Sequence, residues 1–263
     1  LRIQGHPLPM RAHFTDSLVL TYAFPPNVLR PLLAPGLELD TYRAPDGREY
    51  GFAAVAAVAL RNLRPAFLPS RLGWEQVMTG YRVFARLSVD RSRAGTGVRT
   101  LRGLRILRSQ TSSPVLAAAG AVLSRYRYEH AVLGTRRVGD RLDFAVRSRG
   151  GRADLRVGAD LGGPAAPLPE HSPFATKRDA RRFAGPLPYT FEHDGRSGDV
   201  LVVKALRTSW RPRPVRVEVQ RLTFFRHGPF RGTRPVLANA FHVADLDYGW
   251  HRGVLMTPAG RRG

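Results

Sequence analysis

The stretch LRGLRILRSQT (101–111) decides how this chain is read. Leu101, Leu104, Ile106 and Leu107 give it the character of a β-strand, yet Arg102, Arg105 and Arg108 are threaded among them. Side chains alternate between the two faces of a strand, so Arg105 and Arg108 fall on opposite faces unless a bulge intervenes, and Gly103 offers a place for one. A guanidinium stays charged and is costly to bury alone. These arginines therefore reach solvent, pair with acids, or line a polar cavity that receives an anion.

Working outward, the same strand character recurs. SLVLTYAF (17–24) reads as a strand, and Pro25-Pro26 then opens a short helix that Pro35-Gly36 stops. Residues 37–42 and 50–60 read as strands around the Pro45-Asp46-Gly47 turn, and residues 76–89 as a long strand before the opening one. The small-residue run VLAAAGAVL (115–123) suits a short helix, and Tyr126 and Tyr128 alternate with Arg125 and Arg127 in a strand pattern. Residues 140–148 and 152–160 flank Gly150-Gly151 as a hairpin. Ser172-Pro173 reads as an N-cap with proline behind it, which predicts a helix over 173–183. Strands follow at 188–193, 199–207, 214–225 and 236–243. Many strands, few short helices and no long linker predict one α+β, mainly β domain over 1–263, an antiparallel sheet closed into a cone or barrel.

Composition narrows the function. Apolar residues make up 43%, enough for a sizeable core. The absence of cysteine excludes disulfides, thiolate metal sites and cysteine nucleophiles, and fits a cytoplasmic location. No apolar run approaches the ~18 residues of a spanning helix, and LRIQGHPLP at the start has no signal-peptide core, so no membrane partner is expected. The net charge of +22 suggests phosphate-bearing partners. Yet only Lys177 and Lys204 among the 42 basic residues are lysines, and the arginines are spread along the chain, unlike the clustered charge of most nucleic-acid binders. Nucleic-acid binding stays as a second alternative.

The eight histidines show no metal-ligand spacing, and the chain has no glycine-rich nucleotide cradle and no serine-hydrolase elbow, so neither metal nor cofactor is expected. In GYRVFAR (80–86), Arg82, Phe84 and Arg86 share one face while Tyr81, Val83 and Ala85 share the other. Either this is a strand with its arginines at the surface, or one face lines a cavity with Tyr81 and strand 98–109. Glu75 is an isolated acid that either pairs with an arginine or shuttles a proton. Trp210 either stacks on Arg211 or Arg213 or plugs one end of the closed sheet.

LTYAFPPNVLRPLLAPGLELDTY (20–42), LRPAFLP (63–69), TGYRVF (79–84), LRGLRILRSQT (101–111) and RRFAGPLPYTFEH (181–193), with WRPRPVRVEV (210–219) and LANAFHVADLDYGWHRG (237–253), together resemble the YqjF-like family of uncharacterised bacterial proteins. That family is similar in fold to acetoacetate decarboxylase, which implies a β-rich cone with a central cavity. Acetoacetate decarboxylases carry a Schiff-base lysine beside a second lysine, whose charge and desolvation lower the nucleophile's pKa. The comparable run here is 97–107, so the catalytic place falls on Arg105 or Ile106, neither of which forms an imine. Lys177 lies in the expected helix and Lys204 on another strand. The resemblance therefore implies a cavity protein that binds or acts on an organic (keto) acid without a Schiff base. Arg105 or Arg108 would clamp the carboxylate, with Tyr81, Tyr126 and Glu75 in hydrogen-bonding or proton-transfer roles. A non-catalytic ligand-binding or sensing protein is the alternative, and a homo-oligomer is compatible with either.

Overall fold

The computed structural model describes residues 6–90, 97–123, 128–208 and 210–260. Its strands, in chain order, are β1 (Met10–Phe24), β2 (Glu38–Leu39), β3 (Thr41–Arg43), β4 (Glu49–Pro65), β5 (Trp74–Asp90), β6 (Val98–Thr111), β7 (Tyr128–His130), β8 (Val132–Val138), β9 (Arg141–Arg147), β10 (Leu155–Asp160), β11 (Tyr189–His193), β12 (Val200–Arg207), β13 (Arg213–Pro214), β14 (Arg216–Leu222), β15 (Val236–Trp250) and β16 (Val254–Met256). The α-helices are α1 (Pro26–Leu29), α2 (Pro114–Leu123) and α3 (Lys177–Ala184). No helix among the described residues is long and apolar enough to cross a membrane.

The larger sheet runs β15-β1-β4-β5-β6-β11-β12, and β12 pairs back onto β15, so these strands close a ring. Neighbours are antiparallel except at β6–β11, which is parallel and only three residues long. A smaller four-stranded sheet, β14-β10-β9-β8, includes the expected hairpin around Gly150-Gly151. It covers the outside of the ring. Leu142, Phe144, Leu155 and Val157 from the small sheet share one core with Leu18, Leu20, Val55, Ala57, Tyr81 and Val83.

This layering explains the unbroken apolar run of β4. Residues 51–60 are buried on both faces, which replaces the usual in–out alternation by a continuous hydrophobic stretch. Ala53, Val55 and Ala57 face the small sheet. Ala54, Ala56, Val58 and Leu60 face the interior of the ring, where their short side chains leave room for a cavity. Aromatic groups close the interior at both ends. Phe52, Phe84, Phe174 and Phe183 fill one end, and Phe14, Phe241, Tyr248 and Trp250 the other.

The bulge in the opening stretch lies at Leu107. Tyr81 pairs with Arg108 and Arg82 with Ile106, which leaves Leu107 as the extra residue. Gly103 has another reason to be glycine: a Cβ there would lie 2.6 Å from both the Phe191 ring and the Tyr189 carbonyl. It is the point where β11 closes onto β6.

The second long helix begins later than its sequence signals suggest. Thr176 caps α3, its hydroxyl accepting the Asp179 N–H at 3.1 Å. Ser172, the expected cap, instead donates to the Ala238 carbonyl at 2.7 Å and so pins the preceding loop to β15. The expected strand over 214–225 is interrupted, because residues 224–226 turn into a short 3-10 segment that buries Phe225 under the ring.

Asp154 staples the small sheet. Its carboxylate accepts the Ser148 N–H at 2.9 Å and the Ser148 hydroxyl at 2.8 Å, and pairs with Arg221 at 3.0 Å. Burial alone would push its pKa up, but these donors overcome that and hold it below the usual carboxylate value. A depressed folded pKa gives stability that is present above the unfolded value of ~3.9 and lost as pH falls through the folded one. Asp154→Asn is therefore expected to lower the urea midpoint at pH 7, with the deficit shrinking below about pH 4. Parallel denaturation series at the two pH values check this, and a deficit independent of pH would remove the charged staple from the account.

Candidate functional site

The parity of β5 determines what the ring interior contains. Tyr81 and Val83 point outward into the core under the small sheet, so Gly80, Arg82 and Phe84 point inward. The Leu107 bulge has a matching effect on β6. It puts Arg105, opposite Val83, and Arg108, opposite Tyr81, on the same outward face. Leu104, Ile106 and Ser109 line the interior instead.

Between the two aromatic ends lies a cavity of about 130 Å³. Its arginines are Arg82 and Arg207, and no Asp, Glu, His or Lys lines it among the described residues. Gly80 makes the seat for Arg82. A Cβ there would lie 3.2 Å from the Arg82 Nε and 3.3 Å from Nη2, so the guanidinium folds back over the glycine. The phenols of Tyr128 and Tyr248 lie within its field. Burial raises both pKa values and the Arg82 charge opposes the rise, with Arg207 adding to that effect at Tyr248. Arg207 sits over Trp210, 5.1 Å from the ring centroid, and donates to the Pro186 carbonyl at 3.4 Å. The Trp210 Nε1–H is buried with no acceptor among the described residues. Trp210 also packs edge-on against Phe241 at 6.1 Å, so of the two roles read from sequence it takes the one at the end of the closed sheet.

The residues picked from sequence lie elsewhere. Arg105 and Arg108 do not line the cavity. Arg105 donates through Nη1 to the Leu32 carbonyl, and Arg108 holds Glu129 through a fork of contacts at 3.1, 3.0 and 2.9 Å. Tyr81 is fully buried, donates to the Ala153 carbonyl at 3.1 Å and stacks on Phe224, with ring centroids 4.0 Å apart. Its phenol is pushed up by burial. Tyr81 and Arg108 are cross-strand neighbours outside the ring, Tyr81 in the core and Arg108 partly exposed. Glu75 is exposed at the start of β5. Tyr126 lies outside the described residues. Lys204 is exposed on β12, between the cavity-lining Val203 and Ala205, so it points away from the cavity. Arg102 serves the cavity indirectly. It bonds Asp40 at 2.8 Å, donates to the Phe183 carbonyl at 3.2 Å and lies over the Phe183 ring at 4.5 Å, which fixes α3 across the ring.

Sequence reasoning named Arg82 only as a face-mate of Phe84 and missed Arg207, Tyr128 and Tyr248. The available signal was Gly80 two residues before Arg82, a gap on the same face as a large polar side chain.

The fold is that of the acetoacetate decarboxylase-like proteins. Acetoacetate decarboxylase from Legionella pneumophila superposes with a TM-score of 0.59 at 11% identity, over 96% of this chain and 89% of that one. The enduracididine biosynthesis enzyme MppR, solved with pyruvate, gives 0.55 at 15% identity, over 96% and 91%. An acetoacetate decarboxylase-like enzyme from Sphingomonas wittichii RW1 gives 0.56 at 12%, over 97% and 94%. Residues 11–245 match the family DUF2071, described as uncharacterized conserved protein (COG2071), and the chain belongs to that family. No curated protein matches it.

Proposed function

We propose that the protein binds a small organic acid inside the ring, with the Arg82 guanidinium as the main ligand of its carboxylate. Arg207, the Trp210 N–H and the phenols of Tyr128 and Tyr248 are the remaining donors. The observation that carries this reading is the composition of the cavity wall, whose charged side chains among the described residues are Arg82 and Arg207. A desolvated guanidinium with its planar fork suits a carboxylate better than any neutral donor set. That MppR was solved with pyruvate makes a 2-keto acid the first probe.

Binding is favoured over proton-transfer catalysis. General acid–base chemistry near neutrality works best with a group that titrates there. The described wall holds no histidine, carboxylate or lysine, and its buried phenols Tyr128 and Tyr248 are shifted upward. Neither Lys204 nor Lys177 is among the described residues of the wall, which supports a reading without an imine route.

Calorimetric titration with pyruvate and acetoacetate, paired with borohydride trapping read by intact mass, tests the proposal. Saturable one-to-one binding with no mass gain on reduction is expected. Failure of both acids to bind, or a reduced adduct on either lysine, overturns it.

A further inference from the structure

A second concavity, of about 270 Å³, opens beside the ring and shares Gly185 and Phe241 with the wall of the cavity. We propose that this groove is a separate subsite for the phosphate or pyrophosphate group of a small phosphorylated molecule. The inference does not depend on what the cavity holds.

Among the described residues three cations line the groove, Lys177, Arg178 and Arg181, all from α3, and no aspartate or glutamate does. Their placement runs against helix electrostatics. Lys177 and Arg178 stand in the first turn, where the backbone already presents partial positive charge and where acids are favoured. The one acid of that turn, Asp179, is occupied with the cap: Thr176 donates its hydroxyl to Asp179 Oδ2 at 2.6 Å and accepts the Asp179 N–H. Positive charge is thus concentrated on one wall at a cost to the helix, which a bound anion would offset. Lys177 is oriented by donating to the Ala165 carbonyl at 3.1 Å and keeps two further N–H donors.

An independent observation comes from β15. Asn239, on β15, is only 7% exposed and lines the groove, yet its side-chain amide makes no hydrogen bond among the described residues. The amide is not sealed in the core, so its partner is whatever fills the groove. An amide lining the same groove as three cations, with Pro167, Pro212 and Pro214 beside it, is placed to donate to an anion's oxygens. Several cationic donors in one groove favour a phosphate, with its three-dimensional set of acceptor oxygens, over a single planar carboxylate.

The test is calorimetric titration with pyrophosphate near physiological salt, on the wild type, Arg178→Ala/Arg181→Ala, Asn239→Asp and Arg82→Ala. One-to-one binding is expected, weakened about tenfold or more by the double variant. Asn239→Asp, which sets a carboxylate in the groove at nearly constant volume, should abolish it. Arg82→Ala, in the cavity, should leave it unchanged. Thermal melts verify that each variant is folded, and Asn239→Leu separates loss of the donor from added repulsion. Equal pyrophosphate affinity in the wild type and the double variant overturns the proposal. So does loss of binding in Arg82→Ala, which would move the anion into the cavity. A single-stranded oligonucleotide that binds more tightly than pyrophosphate and is displaced by salt would overturn it in favour of non-specific charge.

Discussion

Replacing Arg82 by alanine is expected to raise the dissociation constant for pyruvate by roughly 30- to 100-fold, the equivalent of about 2–3 kcal/mol for a desolvated, charge-assisted pair. The argument rests on position. Arg82 is folded over Gly80 into the ring and acts electrostatically on Tyr128 and Tyr248 from the same cavity. Arg82→Lys keeps the charge and loses the fork, so an intermediate loss is expected. Arg105→Ala and Arg108→Ala should leave the affinity unchanged, because neither side chain lines the cavity and both already have partners on the outer face. Isothermal titration of the four variants decides the matter. Weaker binding in Arg105→Ala or Arg108→Ala with none in Arg82→Ala would return the carboxylate clamp to the outer face. A subsidiary readout is the phenol absorbance: without the Arg82 charge, Tyr128 and Tyr248 should ionise at still higher pH.

The contrast between Arg82 and Arg105 shows what was legible in the sequence and what was not. Strand content was legible because alternation and turn chemistry are local, and β5, β6 and the β9–β10 hairpin lie close to where those signals put them. The resemblance carried the overall architecture. The facing of the strands was not legible, because it depends on partners far away in sequence. β5 presents a two-faced pattern, and Tyr81 looked the better cavity residue because a phenol tolerates a half-polar site. Its outward position follows from the small sheet, where the Ala153 carbonyl of the β9–β10 connection accepts the hydroxyl and the residues after β14 bring Phe224 under the ring. For β6, one residue of bulge decides which arginines share a face. Placing that bulge requires knowing that Gly103 is already committed to the approach of β11, a contact made across more than eighty residues. Arg207, Tyr128 and Tyr248 come from three separate strands and meet only when the ring closes.

That closure point is the place where a single methyl group should do the most damage. Gly103→Ala is expected to destabilise the protein by about 2–3 kcal/mol, at the upper end of overpacking costs. The new Cβ would lie 2.6 Å from the Phe191 ring and 2.6 Å from the Tyr189 carbonyl. The ring is fully buried and the carbonyl belongs to the backbone, so neither yields without moving β11. β11 meets β6 through only three residue pairs, and this parallel joint is the shortest link between the ring's own strands apart from β12–β15, which is also three pairs long. Displacing β11 also moves Tyr189 and Thr190, which line the cavity, so pyruvate affinity should fall together with stability. Gly134→Ala is the matched control. A Cβ there meets nothing within 4 Å, and its effect should stay within about 0.5 kcal/mol. Urea denaturation of both variants, with pyruvate titration of the folded Gly103→Ala protein, reads stability and cavity shape separately. A Gly103→Ala midpoint equal to that of Gly134→Ala would mean that β11 shifts freely, and the ring would then close by a looser joint than its register implies. A lowered midpoint with unchanged pyruvate binding would separate the closure point from the cavity wall, leaving β6–β11 as a structural seam alone.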